Sequence, residues 1–187
     1  GVLIGARFFY VVYYSLNYFL VNPIEILYFW QGGLSFHGGL IGFILGGYFF
    51  CKKYNIDFLE TADFIIIPTI FILGIGRIIN FLDGELYGKI TNVPWCVNFK
   101  DVEGCRHPTQ IYAAVKNLFI FTFLIYLKSK KVKKVVIFLS SLLLYSIIRF
   151  FIDFFREYNV YYLGLGDGQY LNILTFLISG YFLYKIK

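Results

Sequence analysis

The chain has 187 residues, of which 59% are apolar and only 15% charged, where an average soluble domain carries roughly a quarter charged residues. With 22% aromatics and a mean hydropathy of +0.69, this composition excludes an ordinary soluble enzyme. The net charge of +6 does not indicate a nucleic-acid partner, because the lysines flank hydrophobic blocks, where they act as topology signals.

The apolar residues fall in blocks of about 17 to 21, the length a helix needs to cross a bilayer. In chain order the predicted spans are a partial block over residues 1–19, then 34–50, 62–81, 111–127, 135–155 and 170–186. The predicted fold is all-α, a polytopic transmembrane helical bundle with five complete spans and one partial. No connecting loop is large enough for a second domain. Residues 1–187 therefore read as a single integral membrane domain with an outward-facing loop region at about 82–110. The chain contains no methionine and opens inside an apolar run, so it is expected to be a piece lacking its N-terminus.

Nine of the twelve lysines sit at alternate loops: Lys52 and Lys53, the cluster Lys128, Lys130, Lys131, Lys133 and Lys134, then Lys185 and Lys187. By the positive-inside rule these ends are cytoplasmic, and the loops 20–33, 82–110 and 156–169 face outward. Cys96 and Cys105 share one of those loops. They pair if it faces an oxidising compartment, and two free thiols are the alternative.

Ionisable groups inside spans are costly and mark a functional path or a buried pair. Here they gather toward the outward side: His37, then Arg77 and Asn80, Glu85, then Arg106, His107 and Gln110, and finally Gln169. Tyr145, Arg149 and Asp153 follow one another at four-residue steps and share a helical face. All five arginines, Arg7, Arg77, Arg106, Arg149 and Arg156, lie in spans or on the outward side. A guanidinium grips phosphate oxygens through two parallel hydrogen bonds and keeps its charge when desolvated, so this set suits a phospholipid headgroup. The alternative is structural pairing, Arg149 with Asp153 and Arg77 with Glu85 or Asp63. His37 is either a hydrogen-bonded structural histidine or a base. Gly38, Gly42 and Gly46 form a smooth stripe that packs a neighbouring helix or admits an acyl chain. There is no HExxH, CxxC or carboxylate cage for a metal and no GxSxG elbow for an acyl-enzyme, so no metal and no cofactor is expected.

The segment GRIINFLDGELYG at 76–88 closely resembles the signature of the prolipoprotein diacylglyceryl transferase family. Other family-like pieces stand around it in the family's order: GARFFYVVYY from Gly5, GGLSFHGG from Gly32, VPWCVNF from Val93, RHPTQIY from Arg106 and LYSIIRFFIDFFRE from Leu144. The resemblance implies an enzyme of the bacterial cytoplasmic (inner) membrane, of about seven spans when its first helix is counted, with its active site toward the outer leaflet. Such an enzyme transfers a diacylglyceryl group from phosphatidylglycerol to the lipobox cysteine thiol of a prolipoprotein signal peptide. A thioether forms and glycerol phosphate leaves. The implied partners are phosphatidylglycerol, the prolipoprotein signal peptide and membrane lipids, without nucleic acid.

Carried over to this chain, the resemblance implies His37, Arg77, Arg149, Glu85 and Tyr145 as catalytic positions. It likewise implies Arg77, Asn80, Gly88, Arg149 and Asp153 as the phosphatidylglycerol-binding set. His37 is assigned to thiol deprotonation or substrate positioning, Arg77 and Arg149 to the phosphate, Asn80 to the headgroup, and Glu85 to an arginine or a glycerol hydroxyl. Three positions depart from the family pattern: Asp153 replaces a glutamate, Asp83 an asparagine, and Ala113 a glutamate. Lys116, near the last of these, reads as a snorkelling residue reaching the outward interface. Two rival readings are a catalytically dead relative and a membrane transporter for an anionic or lipid substrate. Transporter sites lie nearer the midplane between repeated halves, and no internal repeat is evident here.

Overall fold

The computed structural model describes residues 1–157 and 164–186 and, within them, every side chain but those at 14, 36, 37 and 167. The described residues are helical without strands: α1 (Val2–Tyr14), α2 (Leu16–Val21), α3 (Phe36–Tyr54), α4 (Phe58–Leu82), α5 (Thr109–Ser129), α6 (Val136–Ile152) and α7 (Asp167–Ile186). A 3-10 turn, Asp153–Phe155, continues α6. Among the described residues three segments are long and apolar enough to cross a membrane, Phe58–Leu82, Thr109–Ser129 and Val136–Phe155. The blocks at 34–50 and 170–186 form helices of 19 and 20 residues. Five glycines and two lysines in α3, and Gln169, Asn172 and Lys185 in α7, dilute their apolar character below that of the other three. The block at 1–19 is not one helix, because it breaks at Ser15, where the backbone leaves the helical region (φ −146°).

The chain forms two compact units, Gly1–Thr61 and Ala62–Lys187. In the first, α1 lies against α3 with backbone touching backbone. A Cβ on Gly5 would strike the Gly38 carbonyl and Gly42 Cα, and one on Gly42 would strike the Gly1 carbonyl. The glycine stripe thus packs a helix and leaves no room there for an acyl chain. At the far end of α3, Asn55 takes the left-handed conformation that ends helices (φ 54°). Asp57 then caps α4 by accepting hydrogen bonds from the Leu59 and Glu60 amides at 2.9 and 3.2 Å.

In the second unit α6 packs on both α5 and α7. The core at one end is wholly apolar, with Ile67 and Ile70 of α4, Ile120 and Leu124 of α5 and Ile137 of α6 in mutual contact. Pro68 inside α4 withholds one amide from the helical ladder. The end of α4 nearest this core also holds α6 in place: Asp63 accepts from the Val135 and Phe138 amides at 2.6 and 2.7 Å. A carboxylate on the amide-rich N-terminus of a helix meets both hydrogen-bond demand and dipole. This cap also helps hold Val135 at φ 71°, a conformation a β-branched residue rarely adopts.

The opposite end has a different interior. The buried face of α5 reads Thr109, Gln110, Ala113, Lys116, Asn117, Ile120 and Leu124, so it is polar for its first two turns and apolar afterwards. At this end Arg77 stands near the end of α4 and Arg149 near the end of α6.

Candidate functional site

Arg149 and Asp153 are one helical turn apart and form an ion pair, Nη2 to Oδ1 at 2.9 Å, with side chains 13% and 1% exposed. The other carboxylate oxygen of Asp153 accepts from Asn172 Nδ2 of α7 at 3.2 Å. Asp153 is thereby a buried anchor for the arginine. Of the pairings expected from sequence, this one holds. Arg77 pairs with neither Glu85 nor Asp63, and among the described residues its guanidinium makes no hydrogen bond or ion pair. Asp63 is engaged at the other end of α4.

Lys116 departs most from expectation. It is only 4% exposed and does not snorkel. Its Nζ lies 3.2 Å from the centre of the Tyr145 ring, on the ring face, where the aromatic quadrupole attracts a cation. Arg149, Arg77 and Asp153 are all close enough for their charges to act on it. Buried next to it, Asn117 is 2% exposed and its Oδ1 has no hydrogen-bond partner. The Asn117 side chain abuts Gly74 of α4, one turn before Arg77. Between Gly74, Ile75 and Ile78 of α4 and Ile111, Ala114 and Val115 of α5 runs an apolar groove of about 260 Å³.

The segment 82–110 is held over this end by a network of backbone hydrogen bonds. Gly88 N donates to the His107 carbonyl (2.9 Å), Lys89 N to Phe155 (2.8 Å), Thr91 N to Cys105 (2.8 Å), and Val97 and Arg106 exchange bonds at 3.0 Å. Cys96 and Cys105 form a disulfide. Gly88 is required by close approach, since a Cβ there would strike the Phe155 carbonyl, Thr109 and His107. Gln110 Nε2 donates to the Glu85 carbonyl and Thr109 Oγ1 to that of Leu86 at 2.9 Å. These bonds fix the Glu85 backbone, while its side chain is exposed. Asn80 is half-buried on the last turns of α4. Asp83 is exposed and turned to solvent. Ala113 is fully buried.

Two arginines are fully engaged in structural roles. Arg106 pairs with Glu157 at 2.7 Å, donates to the Glu103 and Gly88 carbonyls at 3.1 and 3.3 Å and lies over the Tyr87 ring. Arg7, in the first unit, donates to the carbonyls of Glu25, Ile26, Gly32 and Gly33 and so clamps the loop before α3. His37 occupies the first turn of α3 in that unit, and its side chain lies outside the described residues. His107 is half-buried and its Nδ1 is 3.1 Å from Tyr112 Oη, which accepts from Trp95 Nε1 at 2.8 Å. Burial holds its pKa below the ordinary histidine value.

Sequence reasoning missed Lys116 and Asn172. The signal for Lys116 was present: it stands three residues after Ala113 and four before Ile120, at the spacing of the buried face. Asn172 had no comparable signal, because its partner Asp153 lies on another helix.

The family model described as prolipoprotein diacylglyceryl transferase matches residues 1–185. Among curated relatives named phosphatidylglycerol–prolipoprotein diacylglyceryl transferase, one from Geobacter sulfurreducens is 38% identical over 186 residues, covering 96% of this chain and 71% of the relative. One from Pasteurella multocida is 41% identical over 175 residues, 92% of this chain and 64% of the relative. One from Rickettsia bellii is 40% identical over 199 aligned positions, spanning all of this chain and 74% of the relative.

Proposed function

The chain belongs to the prolipoprotein diacylglyceryl transferase family, and from that membership we propose that it transfers a diacylglyceryl group from phosphatidylglycerol to the lipobox cysteine of a prolipoprotein. The cysteine sulfur attacks the glyceryl carbon that bears the phosphate oxygen, a carbon–sulfur bond forms and the carbon–oxygen bond breaks. The electron pair leaves with the oxygen as glycerol phosphate, and the thiol proton passes to a base. This needs a thiolate, cations for the departing phosphate and a lipid-accessible pocket.

The observation that carries the reading is the pair of arginines at one end of the second unit. Arg149 is oriented by Asp153, and Arg77 has no partner among the described residues. In the proposed mechanism both bind the phosphate, with Asp153 and Asn172 holding Arg149 in position. Asn80, one turn after Arg77, and Glu85 contact the glycerol headgroup, and Gly88 keeps the covering loop tight over it. Tyr145 lines the same pocket. His37 deprotonates or positions the thiol. The groove between α4 and α5 supplies apolar surface for an acyl chain of the bound lipid.

The same reading makes residues 1–187 one membrane domain with five complete spans and a partial one. It belongs to the bacterial inner membrane, and the arginine end faces the outer leaflet. The lysine asymmetry supports that orientation, as does the disulfide, which persists in oxidising compartments. The test is the mass of a lipobox peptide after incubation with phosphatidylglycerol and membranes containing the chain with its preceding segment restored. The expected result is a cysteine-dependent gain of one diacylglyceryl group, abolished by Arg149→Ala in protein that still inserts. Full activity of that variant overturns the phosphate role of Arg149. No gain from folded wild-type protein overturns the transferase reading.

A further inference from the structure

The end of the second unit that carries the arginines has more positive charge than the proposed reaction has so far used. Arg77 and Arg149 are close enough for their charges to act on Lys116, and the carboxylate that also acts on it is that of Asp153, already paired with Arg149. Lys116 is 4% exposed. Among the described residues its ammonium has no hydrogen-bond acceptor, only the face of Tyr145. A buried ammonium in this condition keeps three unused donors, and its desolvation is offset only in part by a ring face. Beside it the buried Asn117 Oδ1 has no partner; it is an acceptor, which a hydroxyl of the headgroup satisfies and a phosphate oxygen does not. A structural lysine ordinarily has an acceptor within reach. Here the surroundings offer the guanidinium groups of Arg77 and Arg149 instead, and a group that answers these three cations is an anion with several oxygens.

Resting on the transferase reading, we propose that Lys116 is a further phosphate-binding residue of this chain. It recognises the additional negative charge that the headgroup carries once it has left as glycerol phosphate. The donor lipid is a phosphodiester with one negative charge. Breaking the carbon–oxygen bond turns it into a monoester whose freed oxygen holds the electron pair of that bond. Two arginines match the diester, and the Lys116 ammonium, seven residues or about 10 Å along α5 from Thr109, meets the new oxyanion. An interaction stronger with the departing group than with the bound lipid accelerates the chemical step and does not merely tighten binding. Tyr145 holds the ammonium in place through its ring face, which gives that residue a positioning role besides lining the pocket.

The experiment compares wild type, Lys116→Met and Lys116→Arg in phosphatidylglycerol nanodiscs, with the preceding segment restored. It reads peptide transfer, inhibition by added glycerol phosphate, and the protection that glycerol phosphate gives against thermal unfolding, the last also in phosphatidylcholine nanodiscs that hold no donor. The expected result for Lys116→Met is at least a tenfold fall in kcat with a KM for phosphatidylglycerol within about threefold of wild type. Inhibition and protection by glycerol phosphate should weaken at least tenfold, and Lys116→Arg should recover most of each. Unchanged inhibition and protection in Lys116→Met overturn the proposal, whether or not the rate falls. A loss confined to the KM for the lipid also overturns it. If wild type transfers nothing, the transferase reading fails separately. Protection by glycerol phosphate that depends on Lys116 then still supports the phosphate site, and equal protection in wild type and variant removes it.

Discussion

Replacing Asp153 by asparagine tests whether the arginine end is built as a buried electrostatic unit. The carboxylate is 1% exposed, its Oδ1 lies 2.9 Å from Arg149 Nη2, and its Oδ2 accepts from Asn172 at 3.2 Å. The amide keeps the shape of the side chain and an acceptor for Asn172, so the substitution removes charge and little else. Two unit charges about 4 Å apart at an effective dielectric near 20 attract by about 4 kcal/mol. Removing one member of a buried pair costs about 3–5 kcal/mol because the other keeps its desolvation penalty. Lys116, close enough to Arg149 for their charges to interact, adds repulsion to the stranded guanidinium. Asp153→Asn should therefore lower the unfolding free energy by about 3 kcal/mol or more. The assay is reversible unfolding in mixed micelles, followed by helical circular dichroism as the denaturing detergent fraction is raised. The double variant Arg149→Gln/Asp153→Asn should lose less than the sum of the two singles by about 2 kcal/mol. A single-variant loss under about 1 kcal/mol, the value of an exposed pair, or an additive double, refutes the reasoning.

Three further outcomes are expected. Gly88→Ala should destabilise by about 1–3 kcal/mol, because its Cβ would strike the Phe155 carbonyl, Thr109 and His107; the same unfolding assay reads this, and a neutral result contradicts the close approach. Cys96→Ser, which opens a cross-link between residues nine apart in sequence, should cost about 2–3 kcal/mol by the loop-entropy estimate. Intact wild-type protein should be 2 Da lighter per chain by mass than its reduced form, and equal masses would show free thiols. His107, with a folded pKa below its unfolded value near 6.5, contributes stability that is fully present above that value and is lost as pH falls through the folded pKa. The thermal midpoint of wild type should thus fall more between pH 7 and pH 5 than that of His107→Gln, and parallel pH curves would contradict the assignment.

Much of the helical order was legible, because long apolar runs bounded by lysines, glycines and prolines leave few alternatives to helix. The break at Ser15 was not legible: apolar residues continue on both sides, and the kink depends on φ at one position. The pairing of Arg149 with Asp153 was visible as a four-residue spacing within one helix. The roles of Arg7 and Arg106 were not, because their partners are mainly backbone carbonyls, which every residue carries and no sequence pattern marks. Lys116 was misread for a related reason. A lysine near the end of an apolar block snorkels when lipid is its only neighbour, and what keeps this one inside is the face of Tyr145, from a helix that begins twenty residues later.

The cap that Asp63 places on α6 reaches across 72 residues of chain, and this bears on how the protein is made. At synthesis rates of about 5–20 residues per second, the ribosome takes roughly 4–14 s to travel from Asp63 to Val135. Throughout that interval the carboxylate heads a nascent span while the helix terminus it will bind has yet to be polymerised. Synthesis of α4 and α5 therefore precedes closure of this cap, and the arrival of α6, before α7 joins it, is the step that makes the cap possible. A nascent chain arrested before Val135 would present α4 with its Asp63 carboxylate lacking the two amides that cap it in the finished protein.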